Sequence, residues 1–581
     1  MGDSPSIRKL TIVAKDPGLR LGGENGPMAF VQVDVPAEIL AKGPTGYRIK
    51  VVDYNATEQR AYRDRQTYQL ANGDLIDPFA PALGETLLDP AFQARTIADP
   101  NFHAQNAYAI AMRTLGMFER ALGRRVGWSS GGHQLHIAPH AFAQANAFYS
   151  EPDRAVMFGY FRRDDGTPIF TALSHDIIAH ETTHAILDGL RSRFTEASGP
   201  DQAAFHEGFA DIVALLSLFS LEAVVAAAIG EDGVYAVGEE KISLVHEDKL
   251  NPESIKGSIL LGLAAQVGSE LEKGQRNALR RSVEIQPRPD LLDDPEFAEP
   301  HNRGELPVAA VMNAFVKLWC KRIAGLGKFN GDSYNLSLVV EEGTKLAAHL
   351  LTMCIRAIDY CPPTDLDFGQ YLAALLTADQ ELVPDDAPYF YRSTLRAAFK
   401  VYGIETPAQG CDPNTGTWTR FADGGALTYA RSNYQAMTRD CDEFFRFLWE
   451  NRGPLGISER GLTQVVSIDS ATRVGPDGMF LHETICQYIQ IAHIFGAECK
   501  AILNCQRPKG MPTTARITAF GGGVIVLDQY GHVKYHIANA LADGLRQGAR
   551  LQYLYDTGAI DVGDAASRMR FALLHQKRMG A

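Results

Sequence analysis

The sequence predicts an α+β fold with a β-rich start, a helix-dominated middle and a second, smaller α+β region at the end. Three observations support this prediction. Runs of β-branched and aromatic residues alternate with Gly and Pro turns over residues 1–90, which is typical of short strands. Apolar residues recur at helical spacing through much of residues 91–405. A Pro-, Gly- and Asn-rich stretch follows, and mixed patterns continue over residues 406–581, so we expect a boundary near residue 405.

The predicted elements follow in chain order. The first region should hold strands near residues 11–13, 30–33 and 47–52. The middle should hold a helix at 107–122, strands near 134–137 and 155–160, helices carrying 177–187 and 202–219, a Pro/Asp-rich loop at 286–300, and helices at 308–323, 336–357, 368–378 and 391–402. The last region should hold helices at 439–450 and 479–494 and strands near 515–520, 524–527 and 532–536, with a hairpin bend at 521–523.

Composition limits the classes of partner and compartment. The 581 residues allow two to four domains, and the formal net charge of -13 argues against nucleic acid or an anionic membrane as a partner. The apolar run at 208–229 is expected to be two packed core helices rather than a membrane span. Eight scattered cysteines without metal spacing, and an N-terminus without an apolar leader, predict a cytoplasmic location, with non-classical export as the alternative.

The most informative motif is His180-Glu181-Thr182-Thr183-His184. On a helix, His180 and His184 lie one turn apart on one face, so both imidazoles can reach one metal ion. Apolar residues on both sides indicate a buried helix, where unpaired His and Glu side chains would be costly. A surface helix that carries these residue types by chance is the alternative interpretation.

A second helical segment supplies carboxylates. Glu207 and Asp211 are four residues apart and share a helix face, and Glu207 follows His184 by enough residues for a loop and a returning helix. Two His and one carboxylate, with a fourth position for water, make up a catalytic zinc site. Asp211 can then accept the spare N–H of a ligand imidazole. The alternative is a solvated helix face, which the apolar neighbours disfavour.

These residue types indicate hydrolysis. Zinc lowers the pKa of its bound water to ~7. Glu181, beside the first ligand, can take a proton from that water and pass it to a leaving amine. The oxyanion that forms on a substrate then needs a hydrogen-bond donor besides the metal.

Residues 177–188 resemble the active-site helix of the thermolysin-like zinc metallopeptidases, the gluzincins. The resemblance covers roughly residues 90–405. It implies a catalytic region with a β-containing lobe and a helical lobe that flank a cleft, and a preference for an apolar residue after the cut bond. It also implies roles for five residues: zinc ligation by His180, His184 and Glu207, general base catalysis by Glu181, and orientation of the first His by Asp211.

The resemblance extends to weaker matches. Asn146 and Ala147 resemble the edge-strand residues that hold the substrate backbone, with an ordinary turn and strand as the alternative. His301 resembles the family's oxyanion-stabilising His, with an ordinary His in a loop before a helix as the alternative. Arg280 and Arg281 lie in a segment similar to the one that supplies a substrate-binding Arg, and the sequence does not show which of them serves.

Two departures from the family pattern stand out. The family's Tyr between the zinc helices is missing, and Arg193 is the candidate replacement donor. Asp176 matches a calcium ligand, but Leu218 stands where a second carboxylate is expected, so the resemblance does not imply a complete double calcium site.

The leading hypothesis is a zinc endopeptidase that acts on peptides or proteins. An aminopeptidase of the gluzincin type is one alternative, which the absence of a Gly-x-Met-Glu-Asn stretch disfavours. A catalytically weakened, zinc-stabilised binding or toxin-associated scaffold is the other, which the intact Glu181 disfavours. The natural substrate, the oligomeric state and the role of residues 406–581 stay open.

Overall fold

The computed structural model describes residues 7–14, 29–62, 66–129, 131–162, 166–237, 240–264, 281–422, 425–475 and 477–560, and it confirms the α+β class. Strands β1 (Ile7–Val13) and β2 (Phe30–Pro36) pair antiparallel. Their buried side chains join the same hydrophobic core as the helices that follow. The N-terminal pair therefore packs onto the central region.

The first half of the central region contains a small sheet and the helices that pack beside it. Its elements are β3 (Ile49–Val51), β4 (Tyr54–Asn55), β5 (Arg60–Ala61), α1 (Pro90–Ile97), α2 (Pro100–Leu122), β6 (Leu135–Phe142), β7 (Ala147–Ser150), β8 (Ala155–Arg162), β9 (Pro168–Phe170), α3 (His175–Leu190), α4 (Pro200–Phe219) and α5 (Glu222–Ile229). The sheet order is β3-β6-β8-β7, with β9 paired to β8. Strand β7 is antiparallel to β8 and lies at the edge of the sheet.

Helix α2 begins earlier than the predicted residue 107. Asp99 caps it by accepting the Asn101 N–H, and Pro100 occupies the first helical position, where a missing N–H costs nothing. Gly123 ends the helix in the left-handed conformation at φ 69. The helix is buried along most of its length and packs against α3, which it helps to place.

The second half is mostly helical. Its elements are β10 (Gly233–Val237), β11 (Glu240–His246), α6 (Pro252–Ala264), α7 (Pro300–Ala324), β12 (Ser333–Asn335), α8 (Leu336–Ala357), α9 (Phe368–Leu382) and α10 (Tyr391–Lys400). No single helix among the described residues is long and apolar enough to cross a membrane; α4 and α5 meet that test only as a pair, and an 82° bend separates them.

The predicted start of helix α7 near residue 308 was wrong. Helix α7 starts at Pro300, so His301 belongs to its first turn. Glu299 caps the helix by accepting the Asn302 N–H. Pro307 falls inside the helix and hid its true start in the sequence pattern.

The C-terminal region contains α11 (Tyr434–Met437), α12 (Cys441–Glu450), β13 (Leu462–Val474), β14 (Phe480–Phe495), α13 (Cys499–Ile502), β15 (Arg516–Leu527), β16 (Val533–Asn539) and α14 (Gly544–Asp556). The four strands form an antiparallel sheet in sequence order. The predicted helix at 479–494 is wrong, because that segment is β14. Its middle is buried on both faces, so it lacks the polar and apolar alternation that marks a strand.

The predicted bend at 521–523 is also wrong, because these glycines lie inside the continuous strand β15. A Cβ on Gly522 would lie 2.4 Å from the Tyr488 carbonyl oxygen, and one on Gly521 would lie 2.5 Å from the Leu541 nitrogen. The glycines therefore permit close backbone approach within the sheet.

Buried ion pairs join the C-terminal sheet to the helical half. Arg124 donates to both carboxylate oxygens of Asp359, at 2.6 and 2.7 Å. Arg473 from β13 pairs with Asp359 and, at 2.7 Å, with Glu483 of β14. Nearby, Gln487 donates to the carbonyl oxygen of Leu190, the last residue of α3, at 3.2 Å.

Candidate active site

Helices α3 and α4 bring the predicted metal ligands together. The Nε2 atoms of His180 and His184 are 2.9 Å apart. Glu207 Oε2 lies 3.3 Å from His180 Nε2 and 3.9 Å from His184 Nε2. The candidate donor atoms of His180, Glu181 and His184 also lie within 4.8 Å of one another, and all three residues are buried. Two imidazoles and two carboxylates thus meet at one point.

Each imidazole is fixed through its other ring nitrogen. His180 Nδ1 is 2.7 Å from Asp211 Oδ1, the arrangement that the sequence predicted for Asp211. Burial opposes protonation of His180, but the charge and hydrogen bond of Asp211 raise its pKa well above the ordinary value. Asp211 therefore makes this imidazole more basic and holds its Nε2 toward the cluster.

His206 is a site residue that the sequence interpretation missed. Its Nδ1 lies 2.7 Å from His184 Nδ1, and the two rings stack with centroids 4.8 Å apart. It therefore orients the second imidazole as Asp211 orients the first. The available signal was a His directly before the predicted ligand Glu207.

Glu181 is fully buried beside the imidazoles. The backbone N–H of Tyr149 donates to its Oε2 at 2.9 Å, so edge strand β7 positions this carboxylate. The same strand carries Ala147, and Asn146 directly precedes it. The Asn146 amide oxygen is buried without a hydrogen-bond partner among the described residues. The substrate-binding role of Asn146 and Ala147 remains a prediction.

His301 lies on the far side of Glu207, with its Nε2 3.4 Å from Glu207 Oε1. Its Nδ1 is 2.8 Å from Glu299 Oε1. Burial lowers the pKa of His301, but Glu207 and Glu299 outweigh burial and raise it to about 9. The ring is thus held between two carboxylates, those of Glu207 and Glu299.

Of the two candidate arginines, Arg281 lies among the described residues. Arg281 donates to both carboxylate oxygens of Glu305, at 2.7 and 2.6 Å, and to Asn302 at 2.6 Å. Its guanidinium is thus engaged by the first turns of α7, where it supports the helix that carries His301. Arg280 lies outside the described residues.

The two departures from the family pattern can also be located. The Arg193 guanidinium pairs with Glu196 and stacks on Phe520 of the C-terminal sheet, 4.6 Å from the ring centroid. Asp176 accepts a hydrogen bond from the Ser174 hydroxyl. Leu218 is buried in the core, and the calcium prediction stays untested.

Residues 47–188 match the family model of the thermolysin metallopeptidase catalytic domain. This region resembles the catalytic domain of the thermolysin metallopeptidases. The match covers less than half of the chain and ends at Asp188. It contains the sheet with the order β3-β6-β8-β7 and the helix with His180 and His184, but it does not reach Glu207. Comparison with curated proteins gave no significant match. The family match and the cluster at His180, Glu181 and His184 together support a zinc metallopeptidase.

The donor chemistry of the thermolysin-like cluster fits zinc. Two neutral imidazole nitrogens and a carboxylate are ligands of catalytic zinc sites. The other ring nitrogens of His180 and His184 are already engaged, so both Nε2 atoms face the same point. The close approach of Nε2 to Nε2, beside the Glu207 carboxylate, is the arrangement expected of residues that share one cation.

Proposed function

We propose that the protein is a zinc-dependent endopeptidase that hydrolyses internal bonds of peptides or proteins. The observation that carries the proposal is the convergence of His180 Nε2, His184 Nε2 and Glu207 Oε2, with the Glu181 carboxylate beside them. Zinc held by His180, His184 and Glu207 would supply a Lewis acid and a water of lowered pKa.

The protein's own residues supply the remaining functions. Glu181 accepts the proton of the attacking water and later delivers it to the departing amine, and the Tyr149 N–H keeps one of its oxygens in place. Protonated His301 donates to the oxyanion that forms on the substrate. Glu299 Oε1, 2.8 Å from His301 Nδ1, would hold the ring in place for this contact.

The edge of the sheet β3-β6-β8-β7 suggests how a substrate binds. Strand β7 pairs with β8 on one side and is the last strand on the other, so an extended peptide can add there as a further strand. Asn146 and Ala147, at the start of this strand, would contact the peptide backbone. The eight cysteines are all free thiols, which supports action in a reducing compartment such as the cytoplasm.

The decisive experiment compares the wild type with Glu181→Gln. We expect the wild type to bind one zinc per chain and to cleave casein in a reaction that phenanthroline stops. Glu181→Gln should keep the zinc, measured by elemental analysis, and lose turnover. Glu341→Gln, which removes a partly exposed carboxylate on α8, is the matched control and should be fully active. Full activity of Glu181→Gln would refute the assignment.

A second substrate separates endopeptidase from aminopeptidase action. An N-acetylated peptide has no free amine for an aminopeptidase to bind. Internal cleavage of that peptide at the rate of its unblocked form supports the proposal. Cleavage restricted to the unblocked peptide, one residue at a time, would contradict it.

A further inference from the structure

A cavity of about 150 Å³ opens at the surface of the helical half, between α6 and α7. Its floor is apolar and buried, and an apolar space of about this size holds one benzene-sized group. At the helical rise of about 1.5 Å per residue, Met312 on this floor lies about 16 Å along α7 from His301, so the cavity is separate from the candidate active site. The floor residues are Val283, Ala309, Met312 and Val316.

Two ammonium groups line the edge of this cavity. They belong to Lys256 of α6 and Lys317 of α7, and neither forms an ion pair with any residue in the described part of the chain. Burial lowers the pKa of Lys256, and the charge of Glu284 opposes this effect without cancelling it. The exposed Glu253 also lies on the rim. The rim therefore offers two cations to a carboxylate, and one carboxylate to a hydrogen-bond donor.

The side-chain amide of Asn313 also lines the cavity. Its oxygen is buried and accepts no hydrogen bond from the residues that the structure describes. The hydroxyl of Tyr402, another lining residue, donates instead to the carbonyl oxygen of Ile285 at 3.3 Å. A buried acceptor is costly unless a donor reaches it, so we expect an occupant to bring an N–H group.

We propose that this cavity binds a carboxyl-terminal apolar amino acid, either as the free amino acid or as the last residue of a peptide. The carboxylate would pair with Lys256 and Lys317, the N–H on the neighbouring carbon would donate to Asn313, and the apolar side chain would fill the floor. A peptidase releases chains with new carboxyl ends, but this binding does not depend on the proposed peptidase function.

Calorimetric titration with N-acetyl-leucine tests the three contacts with one small probe. The full-length protein would first be saturated with a C-terminally amidated peptide hydroxamate, so that the probe cannot bind at the metal. We expect saturable binding at one site per chain. N-acetyl-leucine amide lacks the carboxylate and N-acetylglycine lacks the side chain, so each should bind at least tenfold more weakly. No binding of N-acetyl-leucine, or equal binding of all three probes, would overturn the proposal.

Substitutions locate the bound probe. Lys256→Met and Lys317→Met each remove one charge and keep most of the stem, so circular dichroism should match the wild type. We expect each to weaken the binding of N-acetyl-leucine about tenfold, since a hydrogen bond to a charged group contributes about this factor to affinity. Lys345→Met is the matched control, because this exposed lysine lies on α8 and not on the cavity. The same affinity in all three variants would refute the assigned site.

Two further probes distinguish the sources of the ligand. Free leucine and an N-acetylated tripeptide that ends in leucine present the same carboxylate and side chain. Tighter binding of leucine would assign the cavity to a free amino acid, and tighter binding of the tripeptide would assign it to a peptide end. If neither bound, the shared chemistry would be refuted.

The two proposals fail separately. A protein that cleaves casein but does not bind N-acetyl-leucine would defeat the cavity assignment alone. A protein that binds N-acetyl-leucine in the cavity but cleaves nothing would defeat the endopeptidase assignment alone.

Discussion

Substitution of Gly208 by Ala tests whether the spacing of α4 and α7 sets the active-site geometry. A Cβ on Gly208 would lie 2.4 Å from the carbonyl oxygen of Gly304, and ordinary contact begins at 3.4 Å. The helices must therefore separate by about 1 Å, because the opposing atom is backbone and cannot rotate away. Glu207 precedes Gly208 directly, and His301 lies one turn before Gly304. The shift of the helices should therefore lengthen the 3.4 Å distance between Glu207 Oε1 and His301 Nε2.

The expected loss has two parts. Overpacking of this kind costs about 1–3 kcal/mol of folding stability. A displacement of about 1 Å between catalytic groups lowers activity on the order of 100-fold. Urea unfolding would measure the first part, and kcat/KM on a fluorogenic peptide, at verified zinc content, would measure the second.

Gly257→Ala is the matched control, since a Cβ there meets nothing within 4 Å. Ala is preferred to Gly inside helices by about 1 kcal/mol, so the control should be as stable as the wild type or more stable. Gly304→Ala should behave like Gly208→Ala, because its Cβ would lie 2.7 Å from the Ala204 carbonyl oxygen. If Gly208→Ala matched Gly257→Ala in both stability and activity, the spacing argument would be refuted.

Two further predictions concern histidines. His206→Ala removes the ring nitrogen that lies 2.7 Å from His184 Nδ1. Zinc affinity, measured by competition with a chelator, should fall about 10- to 100-fold and recover in part in His206→Asn. An unchanged zinc affinity would contradict the orienting role of His206. Stability should fall on acidification, because burial lowers the pKa of four histidines in the folded state from 6.5 to about 3 or 4, so the unfolded chain binds protons that the folded state excludes. The loss of folding stability begins near pH 6.5 and reaches about 1.4 kcal/mol per pH unit for each imidazole ring. A midpoint of urea unfolding that stays constant from pH 7.5 to 5 would argue against this prediction. The four residues are His103, His175, His349 and His536.

The metal cluster could be predicted because its information is local. Positions four apart on a helix share a face whatever the surroundings, so the spacing of His180 and His184, and of Glu207 and Asp211, fixes most of the geometry. The apolar flanks added that both helices are buried. His206 could not be assigned in this way, because its contact with His184 depends on how α3 and α4 pack.

The wrong predictions at 479–494 and 521–523 concern segments in which local sequence patterns do not identify the secondary structure. Strand β14 is buried on both faces in its middle, and a continuous apolar run does not distinguish such a strand from a buried helix. Glycines mark turns in most sequences, but Gly522 sits in a strand because the Tyr488 backbone approaches it. Both errors arose from long-range packing that neighbouring residues do not encode.

The placement of the C-terminal sheet depends on contacts of still longer range in the sequence. Asp359 of the helical half is fully buried and is neutralised by Arg124, which follows the end of α2, together with Arg473 of β13. Arg473 is equally buried and shares its charge with Glu483. Removing one partner from such a network leaves an uncompensated buried charge, which costs about 3–5 kcal/mol. The sheet therefore has one strongly preferred orientation on the helical half of the chain.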